Sequence, residues 1–219
     1  ESLAMVTHLL STNNIDKNVE DLILEKTEGV PFFLEEFIKS LKELRIIEKK
    51  GGAYFLSKKL NEMAIPSTIH DVIMARVDSL PEGYKELLKI GATIEREFSH
   101  PLIKLSTDLP EKELLSFLSM LKEAEIIYER GIYPDSTYIF KHALTREVVY
   151  DSILEKQKQL FHKKIGRVLE ELCKEKIDEN FAILAEHFIK GKNYKKGAEY
   201  CKLAARKAIK SASFNEAVI

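Results

Sequence analysis

The residues that could carry out chemistry lie along the sequence without the spacing that a reaction needs. The six histidines show no HExxH or other zinc-ligand spacing, and Cys173 and Cys201 form no CxxC pair. No GxSxG motif marks a serine nucleophile. The only Gly-Lys pair, Gly191-Lys192, has Glu186 where a phosphate-binding loop needs its first glycine. The sequence therefore predicts that this chain alone is not an enzyme, with no catalytic residues, no metal ligands and no cofactor of its own.

One short run, from Glu28 to Phe37, predicts a sharp corner between two helices. It reads Glu-Gly-Val-Pro-Phe-Phe-Leu-Glu-Glu-Phe, with Gly29 where one helix would end and Pro31 in the first turn of the next. Glycine readily takes the left-handed conformation that closes a helix, and the fixed φ of proline suits a helix start. Such a corner is rigid and could lie flat against a neighbouring domain. A plain structural corner with no ligand is the alternative.

The elements that would hold this corner are mainly helices. The chain has 219 residues, of which 45% are hydrophobic, enough for one large core or two to three small ones. Apolar residues recur at spacings of three and four, and Gly and Pro punctuate them. The predicted helices cover residues 2–11, 17–28, 31–44, 66–79, 82–94, 99–106, 110–124, 142–154, 156–173, 179–190, 194–210 and 213 onward; short strands are predicted at 46–48 with 54–57 and at 126–129 with 137–140.

Two of these segments resemble each other at an offset of 80 residues. Residues 37–51 align without a gap on residues 117–131, with identical Phe, Leu, Lys, Glu, Ile, Ile and Gly at matching places. A helix that runs into a two-stranded hairpin is the second half of a winged helix. The sequence therefore predicts this unit twice, although chance similarity between two amphipathic helices is the alternative.

A winged helix raises the hypothesis of a DNA-binding regulator. The helix before the second hairpin, 110–124, offers Glu111, Glu113 and Glu123 against two lysines, and no Arg, Asn or Gln that could read base edges. Its net charge and its wide apolar face favour packing against protein. Residues 155–210 are basic, with 15 Lys and Arg against 8 Asp and Glu. The DNA alternative depends on a phosphate-facing stripe in this stretch. The stripe comprises Lys156, Lys158, Lys163, Lys164 and Arg167.

The last third of the chain has the pattern of a helical repeat. Large residues that would anchor a helix pair alternate with small ones where two helices cross, as in a tetratricopeptide repeat (TPR). We expect this array to continue beyond residue 219, because a single repeat cannot bury its own face. An ordinary helical hairpin and a TPR-like scaffold that binds a peptide are the alternatives. The residues that carry the pattern are Phe181, Leu184, Ala185, Phe188, Tyr194, Gly197, Cys201 and Ala204, echoed by Ser211, Phe214 and Ala217.

The run GVPFFLEEFIKSL, from Gly29 to Leu41, resembles the GxP lid motif of the STAND class of AAA+-like ATPases. It is most similar to bacterial predicted ATPases attached to class III nucleotide cyclases, kinases or transcription regulators. Runs at 65–81, 91–98 and 138–150 support the same resemblance. In that family a P-loop domain precedes the lid, a winged helix follows it, and superhelical repeats sense the inducer.

The resemblance implies roles for three residues. Gly29 and Pro31 match the GxP expected near the adenine of a bound nucleotide, and His142 matches a histidine that can hydrogen-bond the diphosphate in related switch ATPases. A capping or core histidine is the alternative for His142. The resemblance further implies ATP or ADP with Mg²⁺ in the full-length protein, and as partners its own upstream P-loop domain and other protein domains. The residues of helix 110–124 argue against nucleic acid as a partner.

The expected organisation is a mainly α chain in three parts. Residues 1–62 form a lid-like helical segment with a hairpin, 63–154 a winged-helix domain, and 155–219 the start of a TPR-like array. Both ends look cut from a longer protein. The sequence has no signal peptide, and it has no apolar stretch of membrane-spanning length, so we expect a cytoplasmic signalling protein with reduced, buried cysteines.

Overall fold

A computed structural model describes residues 2–57 and 68–216, with side chains through residue 210. The chain divides into two compact units, the first ending at Pro81 and the second beginning at Glu82. The first unit contains helices α1 (Ser2–Leu10), α2 (Lys17–Thr27), α3 (Pro31–Glu43) and α4 (Ile69–Asp78), and strands β1 (Ile47–Lys50) and β2 (Ala53–Leu56).

In the first unit, α1, α2 and α3 enclose a core made of one apolar face from each helix. Val6, Val19, Ile23, Leu34 and Phe37 have no exposed surface there. The two strands form an antiparallel hairpin with Ile47 opposite Leu56. Its turn is Gly51-Gly52, and φ is 59° and 84° at these residues, the left-handed values that a two-residue hairpin turn requires.

The second unit contains helices α5 (Glu82–Ile94), α6 (His100–Ser106), α7 (Glu111–Glu123), α8 (Ala143–Asp151), α9 (Glu155–Leu172), α10 (Phe181–Lys190) and α11 (Tyr194–Glu216), a 3₁₀ segment (Lys174–Asn180), and strands β3 (Glu97–Ser99), β4 (Ile127–Arg130) and β5 (Thr137–Phe140). The strands form one antiparallel sheet in the order β3-β5-β4. Helices α5, α6 and α7 with this sheet are a winged helix.

Helices α9, α10 and α11 pack side by side in sequence order. The close approach of α10 and α11 depends on Gly197, because a Cβ there would lie 2.6 Å from Ile189 Cγ1. Phe188 is fully buried and stacks on Tyr200, with ring centroids 5.7 Å apart. Tyr194, predicted to anchor the pair, is exposed, and buried Tyr200, six residues later, fills that role.

The prediction of a mainly α chain is confirmed, and most predicted helices match observed ones within a few residues. Three details differ. Strand β3 was not predicted, α11 continues through the expected break near residue 211, and Cys201 is exposed although both cysteines were predicted in the core. In the described part of the chain, no helix is long and apolar enough to cross a membrane.

The compact units divide the chain at other places than the expected boundaries. The expected boundary at 62–63 lies outside the described residues. Helix α4, expected in the winged-helix domain, belongs to the first unit, where it packs on α3. No division falls at 154–155, because α9 packs on α5 and α6 within the second unit.

Candidate functional site

The corner predicted between two helices is formed by two consecutive left-handed residues. Glu28, which ends α2, has φ 49°, and Gly29 has φ 75°. The amide of Val30 then donates to the carbonyl of Thr27 at 2.9 Å, and Pro31 opens the first turn of α3. The left-handed conformation is costly for a residue that has a Cβ. Glycine removes this cost at the second of the two positions.

Gly29 also packs closely on the start of α1. A Cβ at residue 29 would lie 2.6 Å from Ser2 Oγ, so the Ser2 side chain would have to rotate away. On the outer side of the corner, Pro31 is exposed and Val30 is 52% exposed. The corner thus presents a small apolar edge on a rigid support. This edge suits contact with a planar base or an apolar protein surface better than contact with a phosphate.

Helix α3 is held firmly beneath the corner. Leu34, Phe37, Ile38 and Leu41 are buried along its inner face. On the face towards α4, Glu36 is only 2% exposed and forms an ion pair with Arg76. Arg76 also donates from Nε to Glu43 Oε2 at 3.3 Å, so one guanidinium joins α4 to two turns of α3.

The buried Glu36–Arg76 pair is a feature that reasoning from sequence did not find. The two residues lie 40 positions apart in the chain. No local signal was present, because Glu36 lies on the opposite side of α3 from the apolar stripe of Leu34, Phe37, Ile38 and Leu41. A charge at such a position requires a partner when the helix is covered on that side.

His142 lies at the end of β5 and is the N-cap residue of α8. It is half-buried, and its side chain makes no capping hydrogen bond, while its carbonyl accepts from the amide of Thr145 at 3.1 Å. One turn later, Arg146 donates to the carbonyl of Ala92 at 2.8 Å. Arg146 thus ties the start of α8 to the end of α5.

Of the three residues that the resemblance singles out, Gly29 and Pro31 lie together at the corner of the first unit. His142 belongs to the second unit. Their roles towards a nucleotide stay predictions.

A buried histidine pair in the second unit is another feature that was missed. His162 of α9 and His187 of α10 face each other with their Nδ1 atoms 2.9 Å apart, and His162 Nε2 lies 2.9 Å from the Tyr150 hydroxyl. Burial lowers the pKa of His162 to about 3 and that of His187 to about 4. Both rings are therefore neutral at neutral pH, one Nδ1 donating to the other. With a phenol as the third member, this arrangement links three helices and offers no activated nucleophile.

The helix before the wing has no surface suited to DNA. Among the side chains that α7 exposes are Leu115 and Met120, and its first turn carries Glu111 and Glu113. In the wing, Arg130 forms an ion pair with Glu97, so its charge is compensated within the sheet. The outer face of this helix is therefore apolar, and its exposed charges are Glu113 and Glu123 against Lys112, a balance that does not attract a phosphate backbone.

The basic stripe considered for DNA is divided among different contacts. Lys158 lies over the Tyr150 ring, 4.5 Å from its centroid, and Lys164 pairs with Asp108 at 2.9 Å. Lys163 and Arg167 are exposed on α9. Two of the five positive charges are thus engaged within the second unit.

No protein-family model matches the chain. A similarity was found to an uncharacterized protein of Rhizobium meliloti (strain 1021), which is 24% identical over 138 residues. The match covers 63% of this chain and 13% of that protein. The chain thus corresponds to a small part of a much longer relative, and the similarity is too low to assign a family.

Proposed function

We propose that this chain is a regulatory, protein-interacting segment of a STAND-type signalling ATPase. In this proposal it couples the nucleotide state of a P-loop domain to an output or sensor domain, such as a nucleotide cyclase or a transcription regulator, in the cytoplasm. The chain itself is not catalytic, since its sequence has no Walker A loop.

The observation that carries the proposal is the exposed corner at Val30 and Pro31. Two left-handed residues fix its geometry, and the buried face of α3 supports it from below. A nucleotide that contacted such a corner would move the whole first unit as a rigid body, because the corner cannot deform locally. ATP or ADP would be held mainly by the P-loop domain, with its Mg²⁺, and Gly29 and Pro31 would contact only the base.

Contact with protein is supported better than contact with DNA. The face of α7 that would enter a major groove is apolar and has no excess of positive charge, and the wing arginine is already paired. A titration with duplex DNA at two salt concentrations tests this choice. We expect weak binding at both, whereas phosphate contacts would give a steep loss of affinity as salt rises.

The nucleotide role is tested by ADP retention in the full-length protein that contains this chain. We expect Pro31→Ala and His142→Gln each to increase the ADP dissociation rate, by about tenfold for a lost contact worth about 1.4 kcal/mol. The matched controls are Pro101→Ala, an exposed proline in the first turn of α6, and His70→Gln, an exposed histidine of α4.

Neither control should change ADP retention. If Pro31→Ala and His142→Gln behave like their controls, the corner and the winged helix do not contact nucleotide. That result would leave the chain as a protein-binding scaffold with no nucleotide sensing.

A further inference from the structure

The second unit contains a cleft that the proposed function does not use. Its volume is about 400 Å³, and it lies between α5, the loop that follows α6, and α9. This size is within the range of sites that hold a small ligand or one to two side chains of a partner. The residues that line it are Gly83, Glu86, Leu87, Ile90, Ser106, Thr107, Asp108, Leu109, Leu160, Phe161 and Lys164.

The cleft is mainly apolar, with one unsatisfied hydroxyl. Leu87 and Ile90 of α5 line the cleft. Leu160 of α9 also lines it, and 66% of the Leu160 surface is exposed. Ser106 is 1% exposed, and its hydroxyl has no hydrogen-bond partner among the described residues. Buried hydroxyls are nearly always paired, so an unpaired one in the lining of a cleft indicates a position where a ligand can supply the partner.

The apolar surface continues from the cleft along α9, and positive charge runs beside it. Leu160 and Val168 lie two turns apart on this helix and line a second, shallower depression together with Lys163, Lys164 and Arg167. Among the described residues, Lys163 and Arg167 have no ion-pair partner. Lys164 is paired only with Asp108, which is fully exposed, so this pair is weak and can open.

The shape of this surface favours a helix over a small molecule. The apolar and basic residues recur at spacings of three, four, seven and eight, which spans about two turns, or roughly 11 to 12 Å, of α9. One small ligand would need the cleft and a single cation. An amphipathic helix would use the whole length, with its apolar residues on the stripe and its acids on the flanking cations.

We propose that this surface docks an acidic amphipathic helix of a partner protein. A leucine- or phenylalanine-sized side chain of that helix enters the cleft beside Leu160, and its carboxylates pair with Lys163, Lys164 and Arg167. The Ser106 hydroxyl donates to a polar group of the inserted segment. Glu86 and Asp108 at the cleft would repel any carboxylate or phosphate, so the group that enters the cleft is the apolar side chain, and the carboxylates of the helix lie over α9.

The test is fluorescence anisotropy of this chain with two labelled synthetic peptides. One has leucines at every third and fourth position and glutamates elsewhere; in the other, lysine replaces every glutamate. We expect the acidic peptide to bind at least about tenfold more tightly than the basic one, and its affinity to fall as salt rises. Equal affinities, or tighter binding of the basic peptide, would overturn the proposal.

Matched variants locate the binding site. Leu160→Asp should weaken binding of the acidic peptide about tenfold or more, while Ile209→Asp, which changes a residue 67% exposed on α11, should not. The double variant Lys163→Glu with Arg167→Glu should weaken binding about tenfold or more and reduce its salt dependence. The control of equal charge is Lys195→Glu with Lys202→Glu, both exposed on α11.

Ser106→Ala gives a second readout. It should raise the stability of the free chain, since a buried unpaired hydroxyl is removed, and weaken peptide binding about threefold. If the α9 variants bind the acidic peptide as tightly as their controls, the surface is not the docking site. Tighter binding of duplex DNA than of the acidic peptide would also overturn the proposal. None of these measurements depends on nucleotide, so their failure is distinct from failure of the proposed function.

Discussion

Arg45 in the first unit and Glu125 in the second both have φ 54°, and each follows the end of a helix, α3 or α7. In both cases the amide of the next residue donates back across the turn, to Leu41 O at 2.9 Å or to Leu121 O at 3.0 Å. This is the hydrogen bonding of a Schellman motif with a non-glycine residue in the left-handed position. Residues 80 positions apart therefore end their helices in the same way.

The inner faces of the two helix–hairpin segments also agree. At five pairs of positions related by the same offset, both members are buried hydrophobic residues. They form the contact between the helix and the first strand of each hairpin. The pairs are Leu34 with Leu114, Ile38 with Leu118, Leu41 with Leu121, Ile46 with Ile126, and Ile47 with Ile127.

The outer faces differ. In the first unit α4 covers α3, whereas the matching side of α7 is exposed or half-buried. Burial of the repeated inner face is therefore a property of the motif, while burial of the outer face is set by whichever element packs there. The contrast is between Glu36 and Ser40, buried on the outer face of α3 with Phe37 at the border of its two faces, and Ser116, Phe117 and Met120 in the second unit.

The largest expected effect is a difference between two phenylalanines at equivalent positions. Phe37 is fully buried, so Phe37→Ala should lower the free energy of unfolding of the first unit by about 4 kcal/mol. Phe117 is half-buried and stacks on Tyr84, with centroids 4.2 Å apart, so Phe117→Ala should cost the second unit only about 1 to 2 kcal/mol. Amide hydrogen exchange in β2 and β5 reports the two units separately. Equal costs would show that the repeat, and not the covering helix, sets burial.

The buried ion pair should give the next largest effect. Arg76→Ala leaves Glu36 buried with the more distant Lys39 Nζ, 4.0 Å from Oε1, as a cation neighbour, so we expect a loss of about 3 kcal/mol in the stability of the first unit, measured by exchange in β2. Replacing both residues, as Glu36→Leu with Arg76→Met, should restore most of that loss. The matched control is Ser116→Ala, at the position equivalent to Glu36, which should stay within about 0.5 kcal/mol because Ser116 is exposed. A small effect of Arg76→Ala alone would mean that α4 does not hold α3 through this pair.

The sequence predicted these inner faces better than these outer faces, for a physical reason. Local spacing of apolar residues determines which side of a helix is buried, and 37–51 repeats at 117–131, so both helices and both hairpins could be predicted. The Glu36–Arg76 pair joins residues 40 positions apart, and no local pattern encodes it. Strand β3 has three residues and depends on pairing with β5, which is a tertiary contact.

In the candidate site, too, local features could be predicted from the sequence and tertiary contacts could not. The corner at Gly29 and Pro31 was predicted in detail, because the left-handed glycine and the helix-opening proline are local signals. The histidine pair could not be predicted, since His162 and His187 lie 25 positions apart on different helices. Its partner Tyr150 comes from a third helix.

Acid should destabilise the second unit more than the first, because only the second has buried histidines among the described residues. The pKa values of His162 and His187 are lowered from about 6.5 in an unfolded chain, chiefly by burial, to about 3 and about 4. The unfolded chain therefore takes up protons below pH 6.5, while the folded chain does not until near pH 4. Stability is full above pH 6.5 and falls as the pH drops towards 4, by about 2 kcal/mol for each of the two histidines at pH 5.

Urea unfolding followed by circular dichroism at pH 7.5 and pH 5 measures this loss. The charged groups that act on the pair are Arg146 of α8, Lys158 of α9, and Glu186 and Lys190 of α10, with Glu95 after α5. His162→Gln with His187→Asn should reduce the pH dependence of the second unit, whereas changing exposed His8 and His70 to Asn in the first unit should not. If the double variant in the second unit keeps the full pH dependence, the buried pair is not its origin.

The smallest effect tests the feature that the two units share. Glycine at the left-handed position after each helix removes the strain of a Cβ, so Arg45→Gly should stabilise the first unit by about 1 kcal/mol. Glu125→Gly should stabilise the second unit by less, since it also removes an exposed ion pair with Lys141 worth up to about 0.5 kcal/mol. Thermal unfolding of the variants measures both gains. The matched variants Arg45→Ala and Glu125→Ala keep the Cβ and should gain no stability. If alanine stabilises each unit as much as glycine does, the gain comes from the lost charge. The shared helix ending would then carry no strain.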